Sequence, residues 1–270
     1  MAAQIARVLA IAGSDSSGAA GVQADLKTFE ARGVYGMSAL TLVTAQNSLG
    51  IQGLQTLPPE FVAAQIDAVL SDIGADAVKT GLLRTTEIIE VVSVKARQYR
   101  ITNLIVDPVL IAGDGRRLVS NEALVAYRDE LFPQALIVTP NLREAAILSD
   151  ASISNHAQMR TAAQAIHALG PRYVLVKGGD LPGETILDLL YDGERFYEFT
   201  IARVIEQDNP RGVGCAFASS IAAEVAKGHA VPEAVEISQK YVEGALRAAA
   251  GWRMGAGRGT AYHGFEHDEH

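Results

Sequence analysis

The sequence predicts a doubly wound α/β domain with a mostly parallel central sheet, helices on both faces and one late antiparallel hairpin. Three observations carry that prediction. Short apolar runs of strand type alternate with longer runs of helical spacing from end to end. The strand-like runs are continuously apolar, as strands covered on both faces must be. Late in the chain, Leu187–Tyr191 and Arg195–Thr200 flank Asp192-Gly193, a dipeptide suited to a tight hairpin turn.

Taken in order, Val8–Ala12 is the first predicted strand, bounded by Gly13, and a helical stretch follows from Gly21 to Gly33. Ala39–Ala45 is the second strand. Pro58-Pro59 opens a helix whose Val62, Ile66, Val69, Leu70 and Ile73 form one stripe. Ala75–Val78 is a short third strand. Glu87–Tyr99 reads as helix, Leu104–Val106 and Leu136–Val138 as strands, His156–Leu169 as helix and Tyr173–Val176 as strand. Two helices finish the body, one following Cys215 and one from Pro232 to about Ala250. Residues 1–250 therefore read as one domain. Residues 251–270, rich in glycine and carrying His263, His267 and His270, read as a loosely held, solvated tail.

Composition narrows the function. The chain of 270 residues is 49% hydrophobic, ample for a real core, yet no apolar run approaches a membrane span. Lys and Arg total 23 against 31 Asp and Glu, a formal charge of −8, which argues against a nucleic-acid surface. Met1-Ala-Ala-Gln runs straight into the first strand, so no secretory leader is expected. The single cysteine, Cys215, excludes an internal disulfide and suits a reducing, cytoplasmic compartment.

Ligands of doubly wound sheets bind beyond the carboxyl ends of the strands, so the residues after each strand are the candidates. They are Gly13–Gly21 with Asp25, Gln46-Asn47, Lys79-Thr80-Gly81, Asp107-Pro108, Asn141–Glu144 and Lys177–Asp180. The first loop lacks both the G-x-G-x-x-G spacing of a dinucleotide turn and the lysine of a P-loop, which argues against a nicotinamide oxidoreductase. Asn141 and Glu144, three apart at a helix start, share a face and suit a hydrated Mg²⁺. The run Asp208–Cys215 places two glycines, Gly212 and Gly214, immediately before a buried helix. That turn presents free N–H groups and a positive dipole end to an anion, and a thiol there is expected to have a lowered pKa. Lysines, Mg²⁺ and a helix N-terminus are parts of a phosphoryl-transfer site. Each candidate has an ordinary alternative: Asp-Pro and Gly-Gly punctuate turns, and Asn141 can simply cap its helix.

Seven collinear segments resemble the hydroxymethylpyrimidine and hydroxymethylpyrimidine-phosphate kinases of thiamine biosynthesis, within the ribokinase-like superfamily. They are Ala12–Phe29, Gly33–Gly36, Leu42–Asn47, Val78–Gly81, Val106–Val109, Thr139–Glu144 and Val176–Gly179. The resemblance implies an ATP- and Mg²⁺-dependent kinase acting on hydroxymethylpyrimidine or its monophosphate, and a homodimer. It implies that Gly13, Asp25, Gln46, Leu82 and Val109 hold the ring. Asp107, Asn141 and Glu144 would organise Mg²⁺, and Lys177 would lie at the ATP phosphates with Asn141, Arg211 and Val213. Gly212, Gly214 and Cys215 would form the anion hole, with Cys215 either a base or only a member of that hole. The alternatives are a pyridoxal-type kinase and a non-catalytic pyrimidine-binding protein. The chain departs from the family pattern at Pro210-Arg211-Gly212-Val213, where relatives usually read Thr-His-Gly-Thr; Val213 removes a hydroxyl donor.

Overall fold

A computed structural model describes residues 5–204 and 210–267. Asp208 and Asn209 of the glycine turn, His270 and Met1–Gln4 lie outside the described residues. The strands are β1 (Arg7–Asp15), β2 (Tyr35–Asn47), β3 (Gly50–Thr56), β4 (Ala77–Thr80), β5 (Leu104–Val106), β6 (Ile137–Val138), β7 (Tyr173–Val176), β8 (Thr185–Tyr191) and β9 (Phe196–Ala202). The helices are α1 (Gly21–Ala31), α2 (Pro59–Asp72), α3 (Thr86–Gln98), α4 (Asn121–Ala126), α5 (Leu142–Ser149), α6 (His156–His167), α7 (Val213–Ala226) and α8 (Val231–Ala248).

Among the described residues, the strands form a nine-stranded sheet in the order β3-β2-β1-β4-β5-β6-β7-β8-β9. β1 pairs in parallel with both β2 and β4, and parallel pairing continues to β7. The chain thus runs outward from β1 to β3, then returns to the other side of β1. That reversal opens a crevice beyond the C-terminal ends of β1 and β4, the place where such sheets take ligands.

The alternation of β1 shows how the sheet is covered. Leu9 and Ile11 pack into a cluster with residues of α2–α6, while Val8 and Ala10 pack into a second cluster with residues of α1, α7 and α8. Helix α7 is the most enclosed of these helices. Every residue from Ala216 to Val225 is buried, so its N-terminus is fixed against the sheet rather than free to sway. Burial of Phe217 and Ile221 contributes roughly 1.5–3 kcal/mol each to holding it there.

The antiparallel hairpin is present as β8 and β9, with β7 and β8 antiparallel as well. Three features differ from the sequence expectation. β2 is longer than predicted and turns back into β3, an edge strand whose Gly-Ile-Gln-Gly-Leu-Gln-Thr has no apolar run. Helix α4, capped by Ser120, is too short to display a stripe. The third difference is residues 251–267, which are not wholly loose. Thr260, Ala261 and His263 are buried, and Arg211 forms a parallel bridge with Thr260. Among the described residues, no helix is long and apolar enough to cross a membrane.

Candidate active site

The crevice widens into a cavity of about 940 Å³ lined by residues from the ends of β1, β2, β4, β5 and β7 and by the start of α7. Gly212 caps α7 in the left-handed conformation (φ 79°), and a Cβ there would collide with the Ala19 carbonyl. Only glycine lets the turn approach the first loop so closely. The first helical bond runs from Ala216 N–H to Gly212 O at 2.9 Å. The N–H groups of Val213, Gly214 and Cys215 therefore precede the helical ladder and are the donors a helix start leaves over. Gly214 lies beside Lys177, whose ammonium would sit 3.2 Å from an added Cβ.

Lys177 and Asp107 form a pair at 2.9 Å that faces this helix start, and Thr139 Oγ1 donates to the same Asp107 oxygen at 3.2 Å. Burial pulls the Lys177 pKa down, but the neighbouring Asp107 and Glu144 outweigh it, so the value lies above the ordinary one and the side chain stays charged. Asn141 and Glu144 close a reciprocal capping box. The Asn141 side chain accepts from Glu144 N–H, and the Glu144 carboxylate accepts from Asn141 N–H, each at 2.9 Å. The other Glu144 oxygen accepts from Leu110 N–H at 3.3 Å. Burial pushes the Glu144 pKa up to about 7 against the pull of Lys177.

Lys79 and Asp25 form the second pair, at 2.9 Å, both side chains fully buried. Ser219 donates to the same Asp25 oxygen at 2.7 Å, and the other oxygen is buried without a partner among the described residues. Lys79 reaches the cavity wall while Asp25 stands one layer behind it, so contact between Asp25 and a ring in the cavity would have to pass Lys79. The other expected ring contacts, Gly13, Gln46, Leu82 and Val109, line the cavity together.

Arg211 meets a partner that the sequence did not suggest. Its guanidinium is buried against the Asp15 carboxylate at 2.9 Å and also donates to the Asn47 carbonyl. Asp15 in turn accepts from Ser17 N–H, Ser17 Oγ and Ala20 N–H at 2.8–2.9 Å. Arg211 thus braces the first loop against the α7 turn, and a phosphate would have to compete with Asp15 for it.

Cys215 corrects the expectation of an acidic thiol. Loss of water pushes its pKa up to about 11, with Lys79 and a Gly21 N–H pulling the other way. At neutral pH it is a thiol, suited to donating and not to accepting a proton. Among the described residues, no three His, Cys, Asp or Glu side chains converge as a metal cage. Among the cavity residues that sequence reading did not single out are Asp188, Arg203 and Arg258. Asp188, a buried carboxylate holding Gly178 N–H and Gln239, sits on the hairpin β8, away from the strand ends that sequence reasoning searched.

The phosphomethylpyrimidine kinase model matches residues 15–261. The chain is 45% identical over 256 residues to the thiamine biosynthesis bifunctional protein ThiED of Geobacter sulfurreducens, covering 95% of this chain and 52% of that protein. It therefore spans about half the length of the first curated relatives it matches. It is 43% identical over 256 residues to the hydroxymethylpyrimidine/phosphomethylpyrimidine kinase of Rhizobium meliloti, covering 94% of this chain and 96% of that one. Among solved structures it is similar to an ADP complex of Bacillus subtilis pyridoxal kinase, with a TM-score of 0.89, 36% identity and coverage of 98% and 99%. With a matched model spanning residues 15–261, the chain belongs to the phosphomethylpyrimidine kinase family.

Proposed function

We propose that the chain transfers the γ-phosphoryl group of ATP to hydroxymethylpyrimidine, to its monophosphate, or to both. The observation that carries this reading is the helix start at Val213–Cys215, opening beside Lys177 onto a cavity walled by Gln46, Leu82 and Val109. The acceptor oxygen bonds to the γ-phosphorus, the bond from that phosphorus to the bridging oxygen of ADP breaks, and the hydroxyl proton departs to solvent. Charge spreads over the transferring oxygens in that step, and preorganised amides with one ammonium stabilise it without reorganising. A neutral Cys215 serves this hole as a donor. Lys177 holds the nucleotide phosphates, and Asp107 keeps Lys177 oriented.

Mg²⁺ keeps several waters and takes few protein ligands in such sites, which fits a wall offering Asp107 and Glu144 and, among the described residues, no three-ligand cage. Asp107 would hold the ion, with Asn141 and Glu144 ordering its waters. The ion would neutralise phosphate charge.

Coupled ADP release with hydroxymethylpyrimidine, its phosphate and pyridoxal, with Mg²⁺ and with Cys215→Ala alongside, tests the reading. Turnover of a pyrimidine above pyridoxal supports it; no turnover of any acceptor by folded protein overturns it. Preference for pyridoxal would favour the second reading, motivated by the likeness to a pyridoxal kinase structure. The homodimer is part of the proposal and is checked by light scattering.

A further inference from the structure

Among the described residues, six cationic side chains line the cavity, and five of them have an acceptor. Lys79 pairs with Asp25, Lys177 with Asp107, Arg211 with Asp15 and, at 3.7 Å, Arg143 with Asp180. Arg203 donates to the carbonyls of Gly179, Leu181 and Gly183. The sixth, Arg258, has no ion pair or side-chain hydrogen bond among the described residues, although it is half-buried in the wall. A half-buried guanidinium with no counter-charge keeps its planar fork of donors free for an incoming anion.

The backbone around Arg258 is fixed from both sides. Gly257 N–H donates to Ser48 Oγ at 3.1 Å and Arg258 N–H to Ser48 O at 3.3 Å, while Arg211 N–H donates to Gly259 O at 2.8 Å. Residues 257–260 therefore form a strap from the β2–β3 turn to the α7 turn. The guanidinium itself lies against Gly113, where an added Cβ would strike it. Ser48 is two residues past Gln46 and Gly113 four past Val109, so Arg258 stands on the β1–β5 half of the cavity. Lys177 and Arg203, after β7 and β9, stand on the other half.

We propose that Arg258 binds an anionic group carried by the acceptor, namely the phosphate of phosphomethylpyrimidine, and so sets how well the monophosphate competes with the free alcohol. This rests on the kinase reading above. Guanidinium pairs two oxygens of a phosphate at once, and the strap delivers that fork to the acceptor half between the ring wall and the helix start.

The test compares kcat/KM for the monophosphate and for hydroxymethylpyrimidine in the wild-type chain, Arg258→Met, Arg258→Lys and Gly113→Ala. Gly113 has no left-handed φ, so alanine there displaces the guanidinium while leaving its charge. The ratio of monophosphate to alcohol kcat/KM is expected to fall about tenfold to hundredfold in Arg258→Met, the worth of one charged hydrogen-bonding partner. Lysine should recover part of it and Gly113→Ala should mimic the loss. A fall shared equally by both acceptors, or a rise confined to the KM for ATP, overturns the proposal and leaves the kinase reading standing. If the wild-type chain turns over neither acceptor, the kinase reading fails separately. Calorimetry with the monophosphate then decides for Arg258: affinity lost in Arg258→Met supports it, affinity unchanged overturns it.

Discussion

Lys79 and Lys177 each sit at the carboxyl end of a parallel strand, and each meets an aspartate at 2.9 Å. Their surroundings differ. The Lys79–Asp25 pair is sealed at 0% exposure on both sides, whereas Lys177 keeps 12% of its side chain open beside the start of α7. The comparison teaches that a charge at a strand end does not by itself make a reactive group. A sealed pair holds two layers in register, and an open pair can release one partner to a ligand.

The largest expected effect tests the sealed side. Lys79→Met leaves Asp25 buried without its counter-charge, held by Ser219 alone, and should cost about 3–5 kcal/mol of stability, read by denaturant melting. Lys79→Met with Asp25→Leu should regain most of that loss. A single variant that melts like the wild type would erase the distinction. On the open side, Lys177→Ala leaves Asp107 without its cation and should also cost stability, but less than Lys79→Met, because water can enter from the cavity that Lys177 borders. The same variant should lower kcat about 10²–10³-fold, or roughly 2.7–4 kcal/mol in the barrier, as for other lost oxyanion donors. Equal damage to fold and rate would count against it.

His263 sharpens the sealed case with pH. Burial, helped by Lys27, lowers its pKa to about 4, and its Nε2 is buried without a partner among the described residues. A depressed histidine pKa means that the fold favours the neutral ring. Its contribution is complete above the ordinary value near 6.5 and disappears as pH falls towards 4. About 3 kcal/mol should be lost across that window, and His263→Leu should flatten the curve there. The smallest effect concerns Cys215, on the open side. Its alkylation by iodoacetamide should still be accelerating at pH 9.5, consistent with a thiol pushed up to about 11. A plateau near pH 8.5 would mean that the cavity does not desolvate it.

Much of the architecture was readable because long apolar runs must be buried on both faces, and β1, β5 and β7 follow that rule. What escaped has physical reasons. β3 is held by its hairpin with β2 and not by apolar content. α4 spans six residues, fewer than two turns. In the cavity, glycine spacing pointed to the α7 turn, and the strand-end rule pointed to Lys79, Asp107, Asn141 and Lys177, all of which line it. Partner choice was invisible: nothing along the chain couples Arg211 to Asp15, 196 residues away. The rise in the Cys215 pKa was equally hidden, because helix-dipole reasoning supplies the lowering influence but not the desolvation that exceeds it.

The strap at residues 257–260 has a consequence for how the molecule is made. Its hydrogen bonds reach back to Ser48 and Arg211, so the rim of the cavity is assembled from segments synthesised far apart in time. During translation the sheet can form while the β1–β5 half of the cavity is still uncovered, and the cavity is finished only after residue 260 has emerged and folded back. Shortening the chain before that point should yield a body able to build its strands yet missing one wall of its pocket.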